Sequence, residues 1–398
     1  MAPVASTEQR SLFLAAALAA LTALSALTAL TACAPTPPPT GGEIAARPPQ
    51  ATAPHGPGIA LIATSFDRLA GWREDDHGAA LVAFRRSCAR IRSWPPGRSL
   101  GKAGVAAGIG GIVADWRPIC AAAEALGAVD AALARYFFES RLRPYLATDG
   151  SRPDGLFTGY YEADLSGAWT RHGPYQTPIY GRPPELGAVV PYHARDRIDK
   201  GILAGRKLEI LWARDPVDVF FLHIQGSGRV VMEDGTVVRL GYAGDNGHTY
   251  FAIGRELVAR GAIAKDAVSM QSIRAWMKAN RSLAAGLMAL NPRFIFFRRV
   301  AGAGPIGAQG APLTPGRSLA VDPRFVPLGL PLWLDTRHPV DATPLRRLVV
   351  AQDTGGAIKG ALRGDLFWGA GAAAAEAAGR MNEGGRYYVL LPKGTNPY

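Results

Sequence analysis

The sequence predicts a mainly β protein with several helices, and two observations support this class. Short runs of β-branched and aromatic residues, separated by Gly, Pro and Asp, fill the chain from about residue 156 to 242 and again after 291, which is typical of strands joined by tight turns. The 398 residues also include 47 Gly and 31 Pro, and both residue types favour turns. Many short strands with turn signals favour barrels over a parallel α/β sheet.

Three parts of the chain have helical patterns. Apolar residues recur at helical spacing over residues 75–146, where Pro144 marks the last stop, and again over residues 249–290. An Ala-rich segment at 369–382 predicts one more helix, followed by a closing strand. The piece from Val217 to Tyr242 alternates around turn residues at 226–228 and 234–235, so we expect a strand hairpin there.

Composition and charge exclude several classes of protein. With 48% hydrophobic and 19% charged residues, the chain is neither globally disordered nor a coiled coil. Its net charge is +12, but the Arg residues are scattered and form no dense basic run with interleaved aromatics. We therefore expect no nucleic-acid partner. The basic balance suits an anionic polymer or a lipid surface outside the cytoplasm.

The first residues are typical of an export signal. Residues 11–32 carry no charge, follow Arg10 and end at Cys33. This predicts a lipoprotein signal over residues 1–33, with cleavage before Cys33 and acylation of its thiol. A membrane-spanning anchor is the alternative, because about 20 apolar residues can cross a bilayer. Residues 34–57 are Pro-rich and predict a semi-extended linker.

The remaining cysteines are interpreted from this export prediction. In an oxidising compartment Cys88 and Cys120 favour a disulfide between two helical segments, with two buried free thiols as the alternative. Three Cys cannot form a four-cysteine zinc site, the seven His give no metal signature, and we expect neither a metal nor a cofactor. The GxGxxG match at residues 302–307 contains Pro305 and opens no helix, which argues against dinucleotide binding.

Three acids are the candidates for chemistry. Asp353 follows an apolar strand, Asp365 lies between Gly364 and an apolar-aromatic run ending at Trp368, and Asp322 follows the strand SLAV. Aromatic bulk beside a carboxyl raises its pKa, as a general acid requires. Asp beside Gly is otherwise a common turn residue. Aromatic faces bind sugar rings, so the candidate platforms are Trp368, Tyr160 and Tyr161.

Several motifs, in order along the chain, resemble the membrane-bound lytic murein transglycosylase A family. They are FTGYYEA, FFLHIQGSGRV, YAGDNGHTY, SLAVDP-x-x-VPLG and AQDTGGAIKG…GDLFWG, and the three Asp match the family's 3D signature. The resemblance implies a double-psi β-barrel domain with an inserted second β-barrel and a groove between them. It places residues 58–163 and 289–398 in the first domain and residues 164–288 in the insert.

The same resemblance implies a reaction and a set of roles. Asp365 corresponds to the single catalytic acid, and Asp353 to a neighbour that orients it or raises its pKa. The bond cleaved is the β-1,4 link between N-acetylmuramic acid and N-acetylglucosamine, with a 1,6-anhydro product. Asp322 is a candidate sugar contact or a cap of a barrel turn. The other candidate sugar contacts are Thr158, Tyr161, Gln225, Gly226 and Ser227.

Two other functions remain open at this stage. Asp353 and Asp365 could act as an acid–base pair in a hydrolase, or the barrels could bind murein without cleaving it. We expect the protein to bind peptidoglycan strands, to be held at the membrane by a lipid anchor, and to contact cell-wall synthesis or scaffold proteins. We expect a monomer on the periplasmic side of the outer membrane of a Gram-negative bacterium, because Ala34 is not the Asp linked to inner-membrane retention.

Overall fold

The computed structural model describes residues 58–101, 108–150, 152–302 and 304–395. Cys33 and the Pro-rich linker lie outside these residues, so their predictions are not addressed by the structure. Within the described residues, none of the helices has the length and apolar character needed to cross a bilayer.

Nine helices and thirteen strands make up the described part of the chain. The helices are α1 (His77–Arg92), α2 (Val113–Ala125), α3 (Ala131–Arg141), α4 (Arg195–Asp199), α5 (Pro216–Gln225), α6 (Ile253–Ala259), α7 (Met270–Ala279), α8 (Arg281–Ala289) and α9 (Ala372–Arg380). The strands are β1 (Ala60–Ala63), β2 (Leu142–Thr148), β3 (Gly155–Ala168), β4 (Thr177–Tyr180), β5 (Glu209–Ala213), β6 (Ser227–Met232), β7 (Val237–Asp245), β8 (Ile295–Val300), β9 (Ser318–Val321), β10 (Pro331–Arg337), β11 (Pro344–Asp353), β12 (Arg363–Ala370) and β13 (Asn382–Pro392).

Six strands close into a first barrel. The first half of β3 pairs with β13, which pairs with β10, and the ring continues through β11, β9 and β12 back to β3. The β9–β11 and β3–β12 pairs are parallel and the other four are antiparallel. Closure leaves no open strand edge in the ring. This is the first of the two expected barrels.

The second half of β3 belongs to another ring. It pairs with β5 and β6, β6 pairs with β7 and β7 with β8, while β5 pairs with β4. A single parallel bridge between Gly181 and Phe297 joins the β4 end to β8. The strand β3 therefore runs from one barrel into the other without a break.

Each barrel has its own apolar core. Phe157, on the first half of β3, is fully buried with Trp333 in the first core, and Leu165 on the second half packs with Val230 in the second. Helices α1 to α3 cover the first barrel, and Phe84 of α1 is completely buried in its core. Large fully buried side chains of this kind typically contribute about 3–5 kcal/mol each relative to Ala.

The helical segment contains the predicted disulfide. Cys88 of α1 and Cys120 of α2 are bonded, and both are buried. Asp76 caps α1 by accepting a hydrogen bond from the backbone N–H of Ala79.

Two predictions of local structure are wrong. Residues 217–225 form most of helix α5 and not a strand, so the hairpin consists of β6 and β7 alone. Asp215 caps this helix, Pro216 occupies its first turn and Gly226 ends it with a φ of 74°, which suits glycine. The first helical region also ends earlier than predicted, at Arg141, because Pro144 lies in β2.

Candidate active site

The site is built on a row of four residues across four neighbouring strands of the first barrel. Asp353 pairs with Ala320, Ala320 with Asp365, and Asp365 with Thr158. Paired residues share one face of a sheet, so both acids and the threonine point the same way. One strand separates the acids, which places their Cα atoms about 10 Å apart.

Asp365 has one oxygen bound and one available. Thr158 Oγ1 donates a hydrogen bond of 2.5 Å to Oδ1 of Asp365. Among the described residues no donor reaches Oδ2. Burial raises the pKa of Asp365 above its ordinary value, although the charge of Arg363 and the Thr158 hydrogen bond lower it. The group is thus suited to hold a proton on Oδ2 at higher pH than an exposed Asp.

Arg363 orients the threonine and does not bind the acid. Its Nη2 donates to Thr158 Oγ1 at 2.9 Å, and its Nη1 donates to the carbonyls of Leu156 and Gly364. The guanidinium therefore fixes the direction in which the Thr158 hydroxyl can donate. A direct ion pair with Asp365 would have held the carboxyl in its charged form.

Asp353 is fully engaged by donors. Its Oδ1 accepts from the backbone N–H groups of Ala308 and Thr354, and its Oδ2 accepts from the hydroxyl of Tyr160 at 2.9 Å. The pKa of Asp353 is raised to about 6, because burial and the charge of Asp365 raise it by more than the three hydrogen bonds lower it. Asp353 is therefore held in one position beside the candidate acid.

Tyr160 spans the distance between the two acids. Its ring packs with Leu313, Ala320 and Phe367 in a small buried cluster. Burial and the neighbouring Asp353 raise its pKa well above the usual value, so the hydroxyl stays protonated and donates. With its faces in this cluster, the ring is not the open sugar platform that the sequence predicted.

The contacts of Asp322 are those of a structural residue. Its carboxyl, 1% exposed, accepts hydrogen bonds from the guanidinium of Arg324 and from the backbone N–H of Gly360. Burial raises its pKa, but these hydrogen bonds outweigh burial and hold the pKa below the ordinary value. Of the two interpretations of Asp322, the cap of a barrel turn fits these contacts and the sugar contact does not.

Trp368 lies on the other face of β12 from Asp365. Its indole lies where a side chain at Gly159 would point and packs edge-on against His338, with ring centroids 5.3 Å apart. Trp368 is three positions from Asp365 along the strand, and an odd offset changes the face. Trp368 therefore does not share a face with Asp365, and sugar binding at Trp368 stays a prediction.

The remaining predicted contacts join β3 to α5 and β6. Gln225 Oε1 accepts from the backbone N–H of Tyr161, whose side chain is buried in the second core. Gly226 ends α5, and Ser227 begins β6 as a buried residue. Sugar contact at these four positions stays a prediction. Among the described residues no group of three or more His, Cys, Asp and Glu could hold a metal ion.

Comparisons with known proteins decide the family. The MltA specific insert domain matches residues 156–298, and the 3D domain matches residues 317–391. A crystal structure of membrane-bound lytic murein transglycosylase from Agrobacterium tumefaciens is 35% identical, with a TM-score of 0.75 and coverage of 84% of this chain and 98% of that one. The chain belongs to the membrane-bound lytic murein transglycosylase A family.

Two further relatives come from Escherichia coli. The membrane-bound lytic murein transglycosylase A of strain K12 is 36% identical over 241 residues, which is 59% of this chain, and the chain spans 65% of that relative's length. A crystal structure of E. coli MltA with bound chitohexaose is 26% identical, with a TM-score of 0.63 and coverage of 86% and 96%.

Both domains of the MltA family contribute to the site. Thr158 and Tyr160 lie within the insert-domain match, whereas Asp353 and Asp365 lie within the 3D match. Sequence analysis missed Arg363 and the backbone N–H of Ala308. The strand alternation around Asp365 was a usable signal for Arg363, since residues two apart share a face. Nothing in the local sequence indicates that residue 308 approaches Asp353.

Proposed function

We propose that this protein is a lytic transglycosylase that cleaves the β-1,4 bond between N-acetylmuramic acid and N-acetylglucosamine in peptidoglycan. The product is a 1,6-anhydromuramic end, and Asp365 is the single acid and base. The observation that carries this proposal is the carboxyl of Asp365, which has a raised pKa and one oxygen without a protein donor among the described residues. The relative that binds chitohexaose supports a β-linked glycan as substrate.

In the first step Asp365 acts as the acid. Its Oδ2 proton passes to the glycosidic oxygen as the bond from that oxygen to C1 of the muramic residue breaks. The glucosamine portion leaves as an alcohol, and the muramic ring becomes an oxocarbenium-like species. Thr158 holds Oδ1, so that the proton is presented from one defined direction.

In the second step the same carboxyl acts as the base. Asp365, now ionised, removes the proton from the C6 hydroxyl of the muramic residue, and O6 attacks C1 to form the anhydro ring. The proton lost in the first step is thereby recovered, and no water is consumed. One carboxyl is enough for this cycle.

The arrangement of Asp353 argues against a hydrolase. An inverting hydrolase requires a second carboxylate that activates water. Both oxygens of Asp353 already accept hydrogen bonds from Ala308, Thr354 and Tyr160. We propose instead that Asp353 is a neighbour that orients Asp365 or raises its pKa.

Substitution of Asp365 by Asn tests the proposal. We expect Asp365→Asn to abolish lysis while the protein still folds and binds murein. The control is Asp335→Asn, which should remain active, because Asp335 lies on β10 and binds Arg346. Mass spectrometry of the digest should show anhydro ends. Reducing ends would indicate a hydrolase. If the unmodified protein binds murein but forms no product, it is a murein-binding protein. Substantial lysis by Asp365→Asn would show that Asp365 is not the acid.

We also propose the anchor, location and domain division expected from the sequence. The domains are residues 58–163 with 289–398 and the insert 164–288, and Cys33 carries lipid at the periplasmic side of the outer membrane. Palmitate labelling that is lost in Cys33→Ala, together with globomycin-sensitive processing, would support this anchor. Absence of both would favour a membrane-spanning segment.

A further inference from the structure

A cavity lies next to the backbone that holds Asp353. Its volume is about 560 Å³, which is within the usual range for ligand sites. It is lined by Trp94, Arg98, Ser99, Leu100, Gly101, Ala308, Gln309, Pro323, Pro327 and Leu328. Ala308 connects it to the site, because the backbone N–H of this residue donates to Asp353.

Among the described residues that line the cavity there is no acid, and Arg98 is the one charged side chain. The guanidinium carbon of Arg98 lies 4.0 Å from the ring centroid of Trp94. Stacking of this kind holds an arginine in place while its N–H groups stay available. Asp322, which precedes the lining residue Pro323, is already bound by Arg324 and Gly360.

Gln309 is a lining residue that carries a buried donor without a partner among the described residues. Gln309 is 4% exposed, and its Oε1 accepts from Ser87. Its Nε2 has no hydrogen-bond partner among the described residues. An unpaired buried amide is costly unless a ligand or water satisfies it.

We infer that this cavity binds a carboxylate carried on the glycan, namely that of the peptide attached to a muramic residue. Sugar hydroxyls both donate and accept, whereas this lining offers the guanidinium of Arg98 and apolar walls, which suit an anionic group beside short aliphatic side chains. The inference rests on the proposed function. Each residue of an extended peptide adds about 3.4 Å, so about four residues exceed the separation of about 10 Å between the Cα atoms of Asp365 and Asp353.

Three substrates distinguish the sources of the carboxylate. They are glycan strands with their peptides, strands stripped by an amidase so that only the lactyl carboxylate remains, and a neutral chitooligosaccharide. For the unmodified protein we expect the highest kcat/KM on the peptide-bearing strands. An equal preference for stripped strands would assign the cavity to the lactyl carboxylate and overturn the peptide assignment.

Exposed Arg98 is the residue to vary. We expect Arg98→Gln to raise KM for peptide-bearing strands by about fivefold, as is typical of an exposed charge pair. Arg98→Glu should raise KM more than Arg98→Gln does. Arg98→Lys keeps the charge and should raise KM less. The control is Arg92→Gln, which removes a cation from α1 outside the cavity lining and should leave the substrate preference unchanged.

The outcomes separate this inference from the proposed function. If the unmodified protein forms no anhydro product from any substrate, the proposed function fails. The second test applies if the unmodified protein is active. Its ratio of kcat/KM on peptide-bearing strands to kcat/KM on the neutral substrate is then compared with the same ratio for Arg98→Glu. If the two ratios are equal, the cavity does not bind the peptide.

Discussion

The hydroxyl of Tyr160 donates a hydrogen bond of 2.9 Å to Oδ2 of Asp353. Tyr160 lies on β3 and Asp353 at the end of β11, with β9 and β12 between them. This one contact therefore reaches across the strand that carries Asp365. The contact holds Asp353 in place and brings no donor to Asp365.

Removal of this hydroxyl should destabilise the fold and shift the neighbouring acid. In Tyr160→Phe we expect a loss of about 1–2 kcal/mol in the free energy of unfolding, because the ring still packs while a buried hydrogen bond is lost. The pKa of Asp353 should rise further above about 6, since the hydrogen bond lowers it. Urea denaturation measures the first effect and carboxyl titration by NMR the second.

Tyr180→Phe is the control for this variant, because Tyr180 is buried and its hydroxyl has no hydrogen bond with the described residues. If both variants have the same stability, the Tyr160 contact contributes nothing to the fold.

Thr158 should set the upper pH limit of activity. The acid step needs protonated Asp365, so activity falls as pH rises through the folded pKa of Asp365. Because the Thr158 hydrogen bond lowers that pKa, Thr158→Val should move the fall in activity to higher pH. We expect kcat to drop roughly tenfold through lost orientation.

The pH dependence of kcat measures both effects of Thr158→Val. Thr336→Val is the control, because its hydroxyl binds the backbone carbonyl of Gly384 elsewhere in the barrel. A pH profile identical to that of the unmodified protein would show that Thr158 does not control the acid.

Asp353 should make the fold less stable as pH rises. Its pKa of about 6 exceeds the ordinary aspartate value of 3.8, so between these values the folded state binds more protons than the unfolded state, and stability decreases with pH. Asp353→Asn removes this dependence. We expect the stability of the variant relative to the unmodified protein to increase by on the order of 2 kcal/mol from pH 4 to pH 7.

Denaturation curves at several pH values test this sign. A stability difference that stays constant or falls with pH would mean that burial does not dominate at Asp353.

The disulfide should stabilise the helical segment substantially. Cys88 and Cys120 are separated by 32 residues, and closing a loop of that length stabilises a fold by about 3–4 kcal/mol in the chain-entropy model. The double variant Cys88→Ala, Cys120→Ala should unfold at correspondingly lower denaturant concentration. Cys33→Ala, which leaves the bond intact, is the control, and equal midpoints would contradict the expectation.

Local signals predicted most of the elements but not their pairing. The short strands after residue 291 and the Ala-rich helix were recognisable from alternation and spacing. The segment 217–225 was misassigned because a short apolar run fits a strand and a helix equally well. Its capping residues, Asp215 and Gly226, were the better signal.

The site was predictable as a set of residue types and not as a geometry. Asp353, Asp365 and Thr158 were all identified, but their common row depends on Ala320 of β9 lying between the two acids. Such pairing is non-local and has no signature in spacing. The orientation of Trp368 and the donors around Asp322 depend in the same way on neighbours distant in sequence.

Strand β3 has a consequence for modularity. Because its two halves complete different rings, a break within β3 would open both barrels at once. Limited proteolysis should therefore release no stable half-molecule, and the two barrels should melt in one transition. A substitution that disrupts β3 should therefore destabilise both barrels together.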